Sequence, residues 1–390
     1  VTDFFKNYRR MLIYVVVSNF LLNIGFQVWQ TMFNNYAVEE IGVGPASMGL
    51  IQSVREIPGL LGFLLAFLAL ILSEVRIMAL SLVLMGVGLI ATGQSSSTVL
   101  LLAATLMMSI GFHFFYAASN SVVLMIVKKS DTPKTLGGLG SIGSLAAVVG
   151  TGIVYFLAAP VGYRPLFVAV GALVIVGGLA LLPFGNAGDG LPANRRIIFR
   201  KRYWLYYTLS FLLGCRRHIF TTFAIFLLVS NYGVTVQTTA LLFLANSVVN
   251  VFTLRWTGWL VGQLGERLAL SIAFATLIFI FLGYAYLPYL PVLYGLFVLD
   301  NVMFGLGVGL TTYFQKIAVS PEEITSNVSA EQTINHSAAI IVPVLGGIAW
   351  ARYGFQAPFL IGVVIVTVSL ALTQLIRTDA LPATAVPATP

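Results

Sequence analysis

Long apolar runs alternate with short polar, glycine and proline clusters along the whole chain. A helix needs about 20 apolar residues to cross the hydrocarbon core of a bilayer, and these runs reach that length. The pattern predicts helices near 11–36, 46–72, 77–95, 98–127, 136–158, 165–184, 204–230, 237–264, 268–287, 292–317, 327–350 and 357–376, twelve spans with no strand. The longer ones must tilt or protrude from the bilayer. The first run follows Lys6, Arg9 and Arg10, as a signal sequence would. It is too long for such a segment and no small-residue cleavage site follows, so it reads as the first span.

Composition narrows the class. Of 390 residues, 58% are hydrophobic and 9% are charged, whereas about a quarter of a soluble domain is charged. This is the balance of an all-α, multi-pass membrane protein. The net charge of +8 would suggest nucleic acid in a soluble chain, but its placement gives another reason. With the N-terminus in the cytoplasm, inside loops hold Lys6, Arg9, Arg10, Arg76, Lys128, Lys129, Lys134, Arg195, Arg196, Arg200, Lys201, Arg202, Arg267, Lys316 and Arg377, and outside loops only Arg164 and Arg352. Such a positive-inside bias predicts a cell-membrane protein with both termini cytoplasmic and no nucleic-acid partner. A single cysteine, Cys215, excludes an internal disulfide and a cysteine metal cluster.

The chain divides into halves that repeat. Residues 1–184 give a first six-helix bundle, 185–203 a basic cytoplasmic linker, 204–377 a second bundle, and 378–390 a Pro/Ala/Thr tail expected to be disordered. Phe20, Leu21, Leu22 and Thr31 recur as Phe211, Leu212, Leu213 and Thr222 at an offset of 191. At that offset Ile-Gly-Val at 41–43 meets Tyr-Gly-Val at 232–234 and Arg76 meets Arg267, and "GYRPLF" (162–167) meets "GFQAPF" (354–359) one residue later. Six spans separate the copies, so the repeats run in the same sense about an axis along the membrane normal.

Twelve spans in two parallel halves joined by a basic loop resemble the major facilitator superfamily of secondary transporters. Its best local motif here is "GWLVGQLGERLAL", with Gly258, Leu260, Gly265 and Arg267 in place and Gly262 where the family has an acid. The equivalent "FLALILSEVRIMAL" keeps Glu74 and Arg76, so the charged latch of the family is degraded in both halves. The fifth span is glycine-rich and lacks the Gly-Pro pair of the family's antiporters. Its glycines fit close helix packing. The resemblance implies a central cavity lined by spans 1, 4, 7 and 10, a small-molecule solute moved by alternating access, a monomer in the bilayer, no cofactor, and no enzymatic activity.

Span 1 carries Asn19, Asn23, Gln27, Gln30 and Asn34 at steps of four, four, three and four, which is one helix face. We expect a solute-facing stripe there, with interhelical hydrogen bonding as the alternative. The repeat offset carries the stripe to Ser210, Gly214, His218 and Thr221. At about 100° per residue, Arg217 and His218 flank its midline and Arg216 points to the back. Arg55 and Glu56 in span 2, His113 in span 4, Asp300 and Asn301 in span 10, and Glu331, Asn335 and His336 in span 11 lie within a turn or two of the same depth. A charge so placed is costly and is read as functional until shown otherwise.

The candidate solute ligands are thus Asn19, Asn23, Gln27, Gln30, Arg55, His113, Arg217, His218, Thr221, Asn301 and His336. Glu56, Arg216, Asp300 and Glu331 are candidates for proton coupling or ion pairing, and Gly258, Gly265 and Arg267 for gating. Guanidinium forks suit carboxylate or phosphate, so these residues point to a small polar anion carried with protons. Lipophilic-cation efflux is the alternative. Transition-metal transport through His113, His218, His336 and Met107 or Met108 is disfavoured, because no helix has metal-ligand spacing, and no resident metal is expected. No Walker loop is present, which argues against ATP-driven pumping by this chain.

Overall fold

The computed structural model describes residues 2–127, 131–184, 200–319 and 321–377. Residues 185–199 of the expected linker, the tail 378–390, and Lys128 and Lys129 lie outside the described residues, as do the side chains of Lys134 and Arg255. Among the described residues every regular element is helical. The first half contains α1 (Thr2–Glu39), α2 (Pro45–Leu60), α3 (Leu65–Leu68), α4 (Glu74–Gln94), α5 (Thr98–Ile126), α6 (Thr132–Val161) and α7 (Tyr163–Leu181). The second contains α8 (Trp204–Tyr232), α9 (Val236–Leu264), α10 (Glu266–Tyr286), α11 (Leu290–Gly305), α12 (Val308–Ile317), α13 (Pro321–Tyr353) and α14 (Gln356–Thr373).

Among the described residues, eleven stretches are long and apolar enough to cross a membrane, with α11 and α12 counted as one run, Leu290–Ile317. The twelfth span is the broken second one. Its α2 has only 16 residues and contains Pro58, which removes a helix hydrogen bond and crowds the preceding turn. The path tightens into a 3₁₀ turn at Leu61–Leu64 before α3 resumes. The tenth span breaks similarly at Gly305-Leu306-Gly307, where Leu306 N–H donates to Met303 O at 3.2 Å and Gly307 N–H to Phe304 O at 3.0 Å. Two helices start on a side-chain cap: the Ser73 and Ser97 side chains accept from Arg76 N–H and Leu100 N–H, as N-cap hydroxyls do.

The repeat is visible in the backbone. Gly42 and Gly233 have φ of 71° and 63°, and Gly162 and Gly354 have φ of 89° and 93°. L-residues rarely adopt that region, so both turns of each half depend on the same two glycines.

The chain packs as two compact units. Among the described residues, the first holds α1–α7 with Thr221–Val248 and Ala339–Gly354, and the second holds the remainder of α8, α9 and α13 with α10–α12 and α14. The first unit therefore includes the ends of α8, α9 and α13 that border the α8–α9 and α13–α14 turns. There, Asn35 Nδ2 on α1 donates to Val234 O at 2.8 Å, and Thr239 Oγ1 on α9 donates to Asn35 Oδ1 at 3.1 Å. In the same unit α2 crosses α13 on glycine: a methyl group at Gly49 would strike the Pro343 carbonyl, and one at Gly347 would lie 2.6 Å from Pro45 O. Gly86 on α4 and Gly171 on α7 make a similar backbone contact, each facing the other's carbonyl. In the second unit, Phe281 of α10 packs on Gly362 of α14, and the Tyr284 and Phe359 rings lie 5.3 Å apart.

Candidate functional site

The charged core of the second unit begins on α8. Successive helical residues diverge by about 100°, and Arg216 and Arg217 accordingly part. The Arg216 side chain is 1% exposed and its Nη1 donates to Asp300 Oδ1 on α11 at 2.8 Å. Arg217 is exposed. Both guanidiniums lie over one ring, that of Phe304, one turn beyond Asp300. Arg217 Cζ is 4.8 Å and Arg216 Cζ 5.5 Å from its centroid, within range of a cation–π attraction. The Arg217 charge also acts on Asp300. Two cations thus stand against one carboxylate within this cluster.

Next on α8, His218 is buried, and its Nε2 meets Asn335 Oδ1 on α13 at 3.0 Å. An amide oxygen only accepts, so this pairing assigns the proton to Nε2. Gly214 lets α13 approach: a Cβ there would sit 3.1 Å from Ala338 Cβ. One turn nearer the start of α13, Glu331 accepts a hydrogen bond from Tyr206 OH at 2.6 Å. Asn301 Nδ2 donates to Asn250 Oδ1 on α9 at 2.8 Å, and His336 is half-buried.

In the first unit the amide stripe is largely engaged between helices. Asn19 Nδ2 donates to Ser119 Oγ on α5 at 3.0 Å. Asn23 Oδ1 accepts from Tyr116 OH at 3.0 Å, and Gln27 Nε2 donates to Thr151 Oγ1 on α6 at 3.0 Å. Gln30 is half-buried and Asn34 buried, whereas Thr221, on the α8 segment in this unit, is exposed. Arg55 Nη2 donates to Glu56 Oε1 at 2.5 Å, with its guanidinium 5.7 Å from the Trp29 ring. His113 Nδ1 lies 3.0 Å from Ser109 O, and the Ser109 hydroxyl donates to Arg55 O. The last bond ties α5 to the backbone of α2 at its buried ion pair.

At the α9–α10 junction, Gly265 adopts φ 76° as the N-cap of α10, and Arg267 Nε and Nη2 donate to Gln374 Oε1 at 3.2 and 3.1 Å. Gly258 is exposed, with open space where a Cβ would point. Sequence reasoning missed the charge pair beside it. Glu266 is buried, and Lys316, at the end of α12, reaches its Oε1 at 2.7 Å. Gly258 and Gly262 line a cavity of about 270 Å³ next to that pair. The acid absent at position 262 is replaced, four residues later, by one that pairs within its own unit.

Phe304 was also missed, although the repeat contained the signal. Phe26 and Phe112 are stacked, with centroids 4.2 Å apart and planes at 27°. The offsets of 191 and 192 carry Phe26 to Arg217 and Phe112 to Phe304. A ring-on-ring contact in one half is a guanidinium-on-ring contact in the other.

A sequence model of the Major Facilitator Superfamily matches residues 15–330. The chain belongs to the Major Facilitator Superfamily. It is therefore a multi-pass membrane protein of a family of secondary transporters. Among solved structures, the fold is similar to that of a mutant of the nucleoside transporter NupG, with a TM-score of 0.78 and 16% identity over 94% of this chain and 99% of that one. It is also similar to a bacterial homolog of the human lysosomal transporter Spinster, inward-facing and unoccupied, with a TM-score of 0.77 and 14% identity over 97% of this chain and 99% of that one. No curated protein matches this superfamily member by sequence.

Proposed function

We propose that this superfamily member carries a small polar anion across the cell membrane by alternating access, coupled to protons, with both termini in the cytoplasm. The observation that carries this reading is the cluster on α8 and α11. Arg216 pairs with Asp300 at 2.8 Å, and Arg217 beside it is exposed, with its guanidinium 4.8 Å from the centre of the Phe304 ring. The planar fork of a guanidinium suits a carboxylate or phosphate. His218, Asn301 and His336 are the further polar groups proposed to contact the solute from this unit.

The reading of lipophilic-cation efflux has less support. It calls for a membrane acid available to meet a cation. Glu56 is paired with Arg55 and Asp300 with Arg216.

A thermal-shift panel of small carboxylates, inorganic phosphate, organic amines and divalent metals on the purified chain, repeated with Arg217→Ala, tests the proposal. An anion should stabilise the wild type and fail to stabilise the variant. Arg217→Lys should recover only part of the affinity, because an ammonium restores charge without the fork. Stabilisation by cations alone, or by anions equally in wild type and Arg217→Ala, overturns it.

A further inference from the structure

We propose that Phe304 is the positioning residue of the anion site, the ring that sets Arg217 in its binding orientation. The inference rests on the reading of Arg217 as the anion ligand and adds a residue that reading does not contain. Three observations meet here. The Arg217 guanidinium lies 4.8 Å from the ring centroid. Asp300, one helical turn before Phe304 on α11, attracts the same guanidinium through space. The equivalent position in the first half holds Phe112, stacked on Phe26 at 4.2 Å.

The third observation matters most. Phe26 and Phe112 have no charge, so their stack reflects how the first and fourth spans of a half place two side chains face to face. The second half inherits that backbone placement and has Arg217 where its counterpart has a ring. The placement of Arg217 opposite the Phe304 ring therefore follows from the repeat architecture and needs no bound solute. Preorganisation of this kind reduces the ordering cost of binding.

Phe304 also makes the two adjacent arginines tolerable. Arg216 sits 5.5 Å from the same ring, with its Nε and Nη2 buried and without hydrogen-bond partners. The negative face of an aromatic ring stabilises a poorly solvated guanidinium. An aliphatic side chain of similar size would fill the space without that attraction. Asp300, one turn away, would then draw Arg217 further towards itself, and sharing this carboxylate between two arginines would remove the cation from the anion site.

Modification by phenylglyoxal, a reagent for guanidines, read at Arg217 by peptide mass spectrometry, reports this directly and without a known solute. Arg217 should react in the wild type and in Phe304→Trp. In Phe304→Leu the reaction should slow several-fold, with thermal stability within a few degrees of wild type since Phe304 is 40% exposed. Equal rates at Arg217 in the wild type and Phe304→Leu, or slowing in Phe304→Trp as large as in Phe304→Leu, overturn the positioning role. Should Phe304→Leu unfold, Phe304→Met and Phe304→Tyr supply the same comparison of aliphatic and aromatic side chains. Benzoate and inorganic phosphate, added separately to the wild type, test the underlying reading. If neither slows the reaction at Arg217, the anion assignment fails while the comparison of Phe304 variants still decides the role of the ring.

Discussion

Arg216 and Asp300 form an ion pair at 2.8 Å with the arginine side chain 1% exposed. Removing one partner of a buried pair strands the other, at a cost of about 3–5 kcal/mol, whereas replacing both with apolar residues of similar size is often neutral. We expect Arg216→Met to lower the melting temperature of the purified chain sharply, and Arg216→Met with Asp300→Leu to recover most of the loss. Thermal unfolding of the four proteins completes a double-mutant cycle. Additive effects of the two single changes would show that the pair is not a coupled unit.

Glu266 and Lys316 differ from that pair in their exposure. The carboxylate is 4% exposed and the lysine 52%. Without Glu266, the ammonium can turn to water on its flexible stem. Without Lys316, a buried carboxylate loses its cation and one of its oxygens already lacks a hydrogen-bond partner. Lys316→Met should therefore destabilise the chain by about 1–3 kcal/mol, clearly more than Glu266→Gln. The reverse order in thermal unfolding would contradict the burial argument.

Both pairs bear on what a sequence discloses. The positions of the spans were legible because hydrocarbon imposes length and hydropathy, and the repeat because the glycine turns at Gly42, Gly162, Gly233 and Gly354 recur at a fixed offset. Helical periodicity also separates Arg216 from Arg217. Periodicity assigns residues to a face, however, and does not name the helix that the face meets. Asn19, Asn23 and Gln27 share a face, yet only the structure shows Ser119, Tyr116 and Thr151 waiting there. Lys316 lies 50 residues from Glu266, with no pattern linking them. Phe304 looked like one apolar residue among many until the offset was applied to a contact as well as to residues.

The crossing of α2 and α13 at Gly49 and Gly347 admits no side chain. A larger residue at Gly49 must push α13 away from α2, within the unit in which Asn35 holds Val234 and Thr239. In a Cys215→Ala background, a cysteine introduced as Thr239→Cys should be nearly inert to a polar maleimide, because Thr239 is fully buried. Adding Gly49→Val should raise its labelling several-fold. Unchanged labelling would mean that the crossing does not control access to this end of α9.

The geometry separates the two second-unit carboxylates that are candidates for proton coupling. Asp300 is ion-paired with Arg216, whereas Glu331 accepts from the neutral Tyr206 hydroxyl at 2.6 Å. Protonating Asp300 would leave Arg216 as an uncompensated buried cation. Protonating Glu331 breaks no ion pair with Tyr206, and a phenol can serve either form of a carboxyl group as donor or acceptor. We therefore propose Glu331, rather than Asp300, as the proton carrier. In proteoliposomes loaded with the anion found by the thermal-shift panel, an imposed pH gradient should drive net flux in the wild type. Glu331→Gln should retain solute exchange, because Tyr206 can still donate to the amide oxygen, and should lose the pH-driven component. Asp300→Asn should impair stability and exchange together. Full pH-driven flux in Glu331→Gln would remove Glu331 from coupling, and flux that ignores pH and follows sodium would remove the proton.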